Sequence, residues 1–446
     1  MILPKLGPEN TRGMVEAFPE AAPRAAGRKP GSATAAPQGA PQFDPHLLLV
    51  IVGGRPKTQQ PGVFLPTTKE RTVGMKIAQV SPLWESVPPK LYGGTERIVS
   101  YLTEELVRRG HDVTLFASGD SVTAARLRKV CPEALRLKKG PVNRDAPFVL
   151  MMEQVFGAEA AQFDIIHSHV DFMGFPMSRR CQTPVLTTLH GRLDLPEIGP
   201  VFDEYLDLPV VSISNAQRAP LPQANWIGTV YHGLPDLYTF HPGPGSYLAF
   251  LGRISPEKRP DHAIEVAKRV GMPLRIAAKV DPVDRDYFEA EIERLLEHPL
   301  IEYVGEITDA EKCDFLGDAA AVVCPYDWPE PFGIVLIEAL ACGTPVLAYR
   351  RGSIPELIED GVTGVICDNL SEMVRAVERV PSIDRWRCRQ SFETRFAVQR
   401  MAEDYLALYE RLTAAVPLRP YAPAHARNHH VWTPDARVFV PETDAA

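Results

Sequence analysis

From Met75 onward the chain alternates short, continuous apolar runs with amphipathic helical stretches, and it does so twice. Apolar runs of four to six residues between helices suit strands buried on both faces, which is the habit of parallel sheets. In the first half, strands are expected over 76–81, 112–117, 165–167, 185–188, 210–212 and 229–231. The stretch 95–109 reads as a helix with Ile98, Val99, Leu102 and Leu106 on one face and Gly110 as its stop. The linker 241–246, His-Pro-Gly-Pro-Gly-Ser, breaks the pattern. The alternation then restarts with strands expected over 247–251, 274–278, 321–324, 345–348 and 365–366, and helices over 260–270 and 287–297. Ser353 and Glu356 have the spacing of a capping box, and Asp360-Gly361 marks a turn. The fold class is therefore α/β, with two Rossmann-like halves facing across a cleft. Ligands of such sheets sit beyond the C-terminal ends of the strands.

The bulk properties agree with this plan. A chain of 446 residues exceeds one ordinary core. A net charge of -8 argues against nucleic acid as the main partner. Seven scattered cysteines contain no Cys-x-x-Cys pair, and Cys324, Cys342 and Cys367 lie inside apolar runs. That usage suits buried free thiols in a reducing, cytoplasmic setting rather than a zinc site. The apolar run 46–52 is too short for a membrane helix and too far along for a signal peptide. Residues 1–74, rich in Pro, Ala, Gly and Gln, read as a disordered extension. The expected division is 75–240 as a first lobe, 241–397 as a second, 398–413 as a helix crossing back to the first, and 414–446 as a loose tail.

Several segments at strand ends carry chemistry. Glu330 to Glu338, Glu-Pro-Phe-Gly-Ile-Val-Leu-Ile-Glu, brackets a turn and an apolar helix start with two carboxylates. A carboxylate inside such a run needs a polar partner. A hydroxyl-rich ligand is one candidate for Glu338, and a backbone amide is another. Tyr92-Gly93-Gly94-Thr95-Glu96 places two glycines before a helix, where amides can meet an anion or simply turn the chain. It does not fit the dinucleotide fingerprint. Arg253 and Lys258, after the 247–251 strand, could hold a diphosphate or remain a solvated loop. His167, His169, His190 and His232 recur at strand ends, with His190 followed by Gly191, but their spacing matches no metal framework. Asp284-Arg285-Asp286 reads as acid at a helix start rather than a metal site.

Taken in order, these segments resemble retaining glycosyltransferases of family 4, with the GT-B fold. The resemblance also includes Asp164 to His169, Thr188 to Gly191, Ser212 to Asn215, Gly352 to Glu356 and Asp360 to Gly364. It implies that Arg253 and Lys258 hold the donor diphosphate and that Glu338 holds the ribose hydroxyls. Glu330 and the amides of Phe332, Gly333 and Ile334 would meet the donor sugar and phosphate. Gly93 and Gly94 would lie against the phosphates, His190 near the reacting centre, and Glu306 and Ile307 near the nucleobase. The implied reaction moves a hexosyl group from a nucleotide sugar, UDP-glucose first and GDP-mannose second, with retention and without a metal or other cofactor.

Two other functions stay open at this stage: a nucleotide-sugar epimerase on the same fold, and a non-catalytic sugar-nucleotide-binding protein. The acceptor and the oligomeric state are not legible. Peripheral membrane contact stays open, although no strongly basic amphipathic helix argues for it.

Overall fold

The computed structural model describes residues 74–414, except 137, 141 and 142. The expected extension and tail lie outside the described residues. Thirteen strands build two sheets, each parallel throughout. The first contains β1 (Lys76–Val80), β2 (Asp112–Ser118), β3 (Arg126–Cys131), β4 (Ile165–Ser168), β5 (Val185–Thr188), β6 (Val210–Ser212) and β7 (Trp226–Thr229), in spatial order β3-β2-β1-β4-β5-β6-β7. The second contains β8 (Tyr247–Arg253), β9 (Leu274–Lys279), β10 (Ile301–Gly305), β11 (Ala319–Cys324), β12 (Val346–Tyr349) and β13 (Gly364–Cys367), in order β10-β9-β8-β11-β12-β13. Both sheets run outward in two directions from their first strand. The crevice where the order reverses lies between β1 and β4 in one lobe and between β8 and β11 in the other, and that is where such sheets bind ligands.

The central strands form because their side chains are apolar on both faces. In β11 every residue is buried, and in β1 only Lys76 is exposed. β3 and β10 were not expected from the sequence. Both are edge strands, with mixed polar sequences (Arg-Leu-Arg-Lys-Val-Cys and Ile-Glu-Tyr-Val-Gly) that lack a continuous apolar run. The expected strand over 229–231 is displaced: pairing covers Trp226–Thr229, and Tyr231 lies in the loop beyond it. The expected helix over 287–297 is irregular. It opens as one α-turn at Arg285–Tyr287, widens to a π-turn at Phe288–Ile292 and tightens to 3₁₀ at Glu293–Glu297.

The expected capping box at Ser353 is not formed. The Ser353 hydroxyl donates to the carbonyl of Phe332 (2.8 Å), and Glu356 reaches the other lobe. A capping box does occur at Thr308 and Glu311, which open the helix Asp309–Gly317.

The last helix, Val398–Ala414, lies against the helix Gly94–Arg108 of the first lobe. Its Met401, Tyr405 and Tyr409 are fully buried. Just before it, the helix Arg385–Arg395 pins the linker. Arg385 is 7% exposed and donates to the carbonyls of His241 (2.7 Å), Ala319 (2.8 Å) and Gly317 (2.6 Å), and to the Thr344 hydroxyl (2.7 Å). Replacing it with Met would strand several buried acceptors, each worth about 1 kcal/mol or more. Arg385→Met is expected to lower unfolding free energy by about 3 kcal/mol in urea titration, with the m-value unchanged.

Candidate functional site

The end of β9 and the loops leaving β1, β3, β4, β5, β6, β7, β8, β10 and β11 converge on one cavity of about 570 Å³ between the lobes. Every residue expected at the site lines it: Gly93, Gly94, His190, Arg253, Lys258, Glu306, Ile307, Glu330, Phe332, Gly333, Ile334 and Glu338.

The turn after β11 is held from behind. Gly333 has φ +84 and caps the helix Ile334–Cys342, a left-handed position suited to glycine. Gly352 has φ +51, and a Cβ there would lie 2.3 Å from the Glu330 carbonyl oxygen. The Ser353 amide donates to that same oxygen (2.9 Å). The loop after β12 thus fixes the backbone that presents Glu330 and the amides at the helix start. Glu330, 7% exposed, accepts from Lys258 Nζ (2.5 Å) and Trp328 Nε1 (3.0 Å). Lys258 also stands 3.8 Å from the centre of the Tyr326 ring. Arg253 is clamped by Glu257, by Asp284 (3.2 Å) and by Asp281 (3.9 Å). Asp284 is therefore more than acid at a helix start: it is buried, and it is an ion-pair partner of Arg253.

Glu338 corrects an expectation. It is 1% exposed, and its partners are protein groups: Tyr238 Oη and Lys312 Nζ both donate to Oε1, each at 2.8 Å. No hydrogen bond to Oε2 is made among the described residues. A ligand hydroxyl is thus not needed to justify this carboxylate, although one oxygen is free to take it. Lys312 and its neighbour Arg97, which pairs with Asp309 across the cleft, were not foreseen. Nor were Tyr92, Lys279 and Arg136. Tyr92 covers Lys279, whose Nζ lies 3.9 Å from the ring centre, while Arg136 sits 5.8 Å away. Only Tyr92 had a signal in sequence, since it directly precedes the glycine pair.

The four histidines do gather, in a row that His167 opens with its ring centre 4.0 Å from that of His169. His169 Nδ1 is 2.9 Å from His190 Nε2, and the His190 ring stacks on His232 with 5.3 Å between centroids. The His190 amide donates to Asp171 Oδ1 (3.1 Å), and Asp171 sits at φ +48, a strained position beside the cleft. Burial pushes the His190 pKa down to about 3, and it holds His167, His169 and His232 well below the usual histidine range. These rings are neutral at physiological pH. Among the described residues no group of three His, Cys, Asp or Glu side chains is placed to hold a metal ion. No helix among them is long and apolar enough to cross a membrane.

Glu96 lines the same cavity at 5% exposure, and its Oε1 accepts from the Glu85 amide (3.3 Å). Burial raises its pKa from 4.5 to about 7. The native state therefore binds an extra proton between those values, and stability falls as pH rises through them. Glu96→Gln removes this loss. The variant is expected to be more stable than the parent at pH 8, by up to about 3 kcal/mol, and equal to it at pH 4, as thermal melts across pH would report.

Two family signatures match this chain. Glycosyltransferase Family 4 matches residues 92–227, and Glycosyl transferases group 1 matches residues 239–387. A D-inositol 3-phosphate glycosyltransferase of Mycolicibacterium gilvum is 30% identical over 335 residues, covering 61% of this chain and 73% of that protein. An uncharacterized glycosyltransferase of Methanocaldococcus jannaschii is 24% identical over 340 residues, covering 65% and 84%. Among solved structures, the sucrose-phosphate synthase of Thermosynechococcus elongatus superposes with a TM-score of 0.65 at 19% identity, covering 77% of this chain and all of that one. Anabaena HepE in complex with UDP and glucose gives 0.59 at 18% identity, covering 76% of this chain and all of its own.

Proposed function

Because the chain belongs to the family 4 glycosyltransferases and has their two-lobed GT-B fold, we propose that it transfers a hexosyl group from a nucleotide sugar to an acceptor hydroxyl, with retention and without a metal. The observation that carries this reading is the pairing of Lys258 with Glu330 at the N-terminus of the Ile334–Cys342 helix, with Arg253 lining the same cavity.

Glycosyl transfer passes through an oxocarbenium-like state while charge grows on the departing group. Arg253, Lys258 and the amides that open the helix are groups suited to receive a diphosphate. They need no reorganisation beyond exchanging carboxylate partners for phosphate oxygens. Glu330, released from Lys258, accepts from the hydroxyls of the sugar. Glu338 offers Oε2 to the ribose, and the turn at Glu306 and Ile307 faces the base. Gly93 and Gly94 let the first lobe approach the phosphates, and Gly94 already lies where a Cβ would be 3.4 Å from Ile334 of the other lobe.

Retention by a covalent route requires a free carboxylate on the far face of the sugar. Glu330 keeps Trp328 as a donor and, once released from Lys258, is taken up by the sugar hydroxyls, while Asp171 holds the His190 amide. This favours return of the acceptor on the face the nucleotide leaves. UDP-glucose is the first donor, by analogy with the Anabaena protein whose structures hold UDP and UDP-glucose, and GDP-mannose is the second. The acceptor-side wall carries Trp84, Phe148 and Met173.

A thermal-shift screen of UDP, GDP and ADP sugars tests the donor. UDP-glucose is expected to raise Tm and the others to do so less. Lys258→Ala should lower kcat for transfer about a hundredfold or more, the usual loss when a group stabilising developing charge is removed, and should also lower Tm, because Glu330 is left buried without its cation. Absence of any shift with all three nucleotide classes would reject the reading. So would conversion of the donor to a free epimer without acceptor.

A further inference from the structure

A chain of buried hydrogen bonds runs from the last helix to the cleft. Tyr405 and Tyr409, four residues apart on one face of the Val398–Ala414 helix, both enter the first lobe. Tyr405 Oη lies 3.0 Å from Thr188 Oγ1, which lies 2.8 Å from His167 Nε2. His167 Nδ1 is 2.7 Å from Tyr409 Oη, and Tyr409 accepts from Gln79 Nε2 (3.1 Å). Gln79 Oε1 is 2.8 Å from His169 Nε2, and His169 Nδ1 is 2.9 Å from His190 Nε2. Every member before His190 is essentially inaccessible to solvent, and His190 lines the cavity.

The protons in such a chain are not independent. A neutral imidazole has one N–H and one bare nitrogen. The Gln79 carbonyl faces His169, so His169 Nε2 carries its proton and Nδ1 is bare. His190 must then donate from Nε2, which leaves its Nδ1 as an acceptor. On the other side, Gln79 donates to Tyr409, Tyr409 to His167 Nδ1, His167 Nε2 to Thr188, and Thr188 to Tyr405. The reverse order would flip the Gln79 amide and leave a proton on His190 Nδ1. That atom is buried and has no partner among the described residues. A buried N–H without a partner is rarer in folded proteins than an under-used acceptor, which favours the first order.

We propose that Gln79, His169 and Tyr409 are positioning residues that hold His190 as the Nε2-protonated imidazole, so that Nδ1 accepts a hydroxyl of the transferred sugar. Only the source of that hydroxyl rests on the proposed function; the tautomer follows from the chain together with the lack of a partner at His190 Nδ1 among the described residues. The last helix, which contributes no cavity-lining residue, thereby acts on the site through the Tyr409 phenol.

The test is 15N NMR of histidine-labelled protein at neutral pH, with the His190 signals identified by their loss in His190→Gln. The parent is expected to show a single Nε2-protonated form at His190. Tyr405→Phe, which ends the chain one link early, should leave it unchanged. Gln79→Met and Tyr409→Phe should convert it to a mixture of tautomers. In transfer assays these two variants should lose kcat in proportion to the Nδ1-protonated fraction, from about twofold for an even mixture to about tenfold, the worth of one neutral hydrogen bond to the reacting sugar, with KM for the donor within about twofold. Two variants guard against a fold that fails, since either one alone carries the readout. A parent His190 protonated on Nδ1, or an unchanged tautomer in both variants, overturns the proposal. So does an unchanged kcat where the tautomer has become mixed. A tautomer that shifts as expected in a protein that turns over no nucleotide sugar supports the positioning chain and rejects only the donor reading.

Discussion

Strand direction is the constraint on which everything else in this molecule rests. All strands within each sheet are parallel, so every loop that follows a strand emerges at the same edge. Two such edges facing each other make a cavity whose wall is drawn from loops far apart in sequence. Parallel strands must be covered on both faces, so they read as unbroken apolar runs, and the polar residues are pushed to the strand ends. That is why Arg253 ends β8, Lys279 ends β9 and His169 directly follows β4. The chemistry of the cleft is a by-product of burying the sheets.

Those polar residues create a charge problem that the ligand-free protein solves internally. Lys258 is neutralised by Glu330, Lys312 by Glu338, Arg97 by Asp309, and Arg253 by three carboxylates. An unpaired buried charge would cost several kcal/mol, so the pairs are a condition of folding as much as of function. The same arrangement keeps the cations in place. Cations held this way are positioned in advance, which is the form of preorganisation that lowers barriers where charge develops.

Most of the fold was legible in the sequence because its signal is local. β1, β5, β6 and β8 appear as apolar runs of the right length, and the glycines at 93, 94, 333 and 352 mark turns. What was not legible depends on contacts between distant segments. β3 and β10 are strands only because a neighbour pairs with them on one side. Glu356 looks like a capping residue, and its carboxylate instead accepts from the Asn215 amide (2.8 Å), the Ala216 amide (2.6 Å) and Tyr231 Oη (2.9 Å). Its local hydrogen bond was outcompeted by a set of donors that no window of sequence contains. The partners of Glu338 are missing for the same reason: Tyr238 and Lys312 stand 100 and 26 residues away.

The lobes meet mainly through polar groups. Arg97 pairs with Asp309, Glu356 with Asn215, Ala216 and Tyr231, and Arg136 with Asp281 (3.7 Å); Arg192 lies over the Trp328 ring at 5.6 Å. The apolar contacts across the cleft involve few rings, chiefly Phe332 against His232 at 4.6 Å. Ion pairs with partial solvent access contribute about 1 kcal/mol or less each, because water replaces either partner at little cost. Separating the lobes therefore exposes little apolar surface and breaks contacts that water can remake. The joint that does not come apart is elsewhere. The Leu234 amide donates to the Phe396 carbonyl (2.8 Å), the Val398 amide donates to the Leu234 carbonyl (2.9 Å), and the last helix buries Tyr405 and Tyr409 in the first lobe. A joint held by apolar burial and a cleft held by ions leave the two lobes bound more firmly at the joint than along the seam.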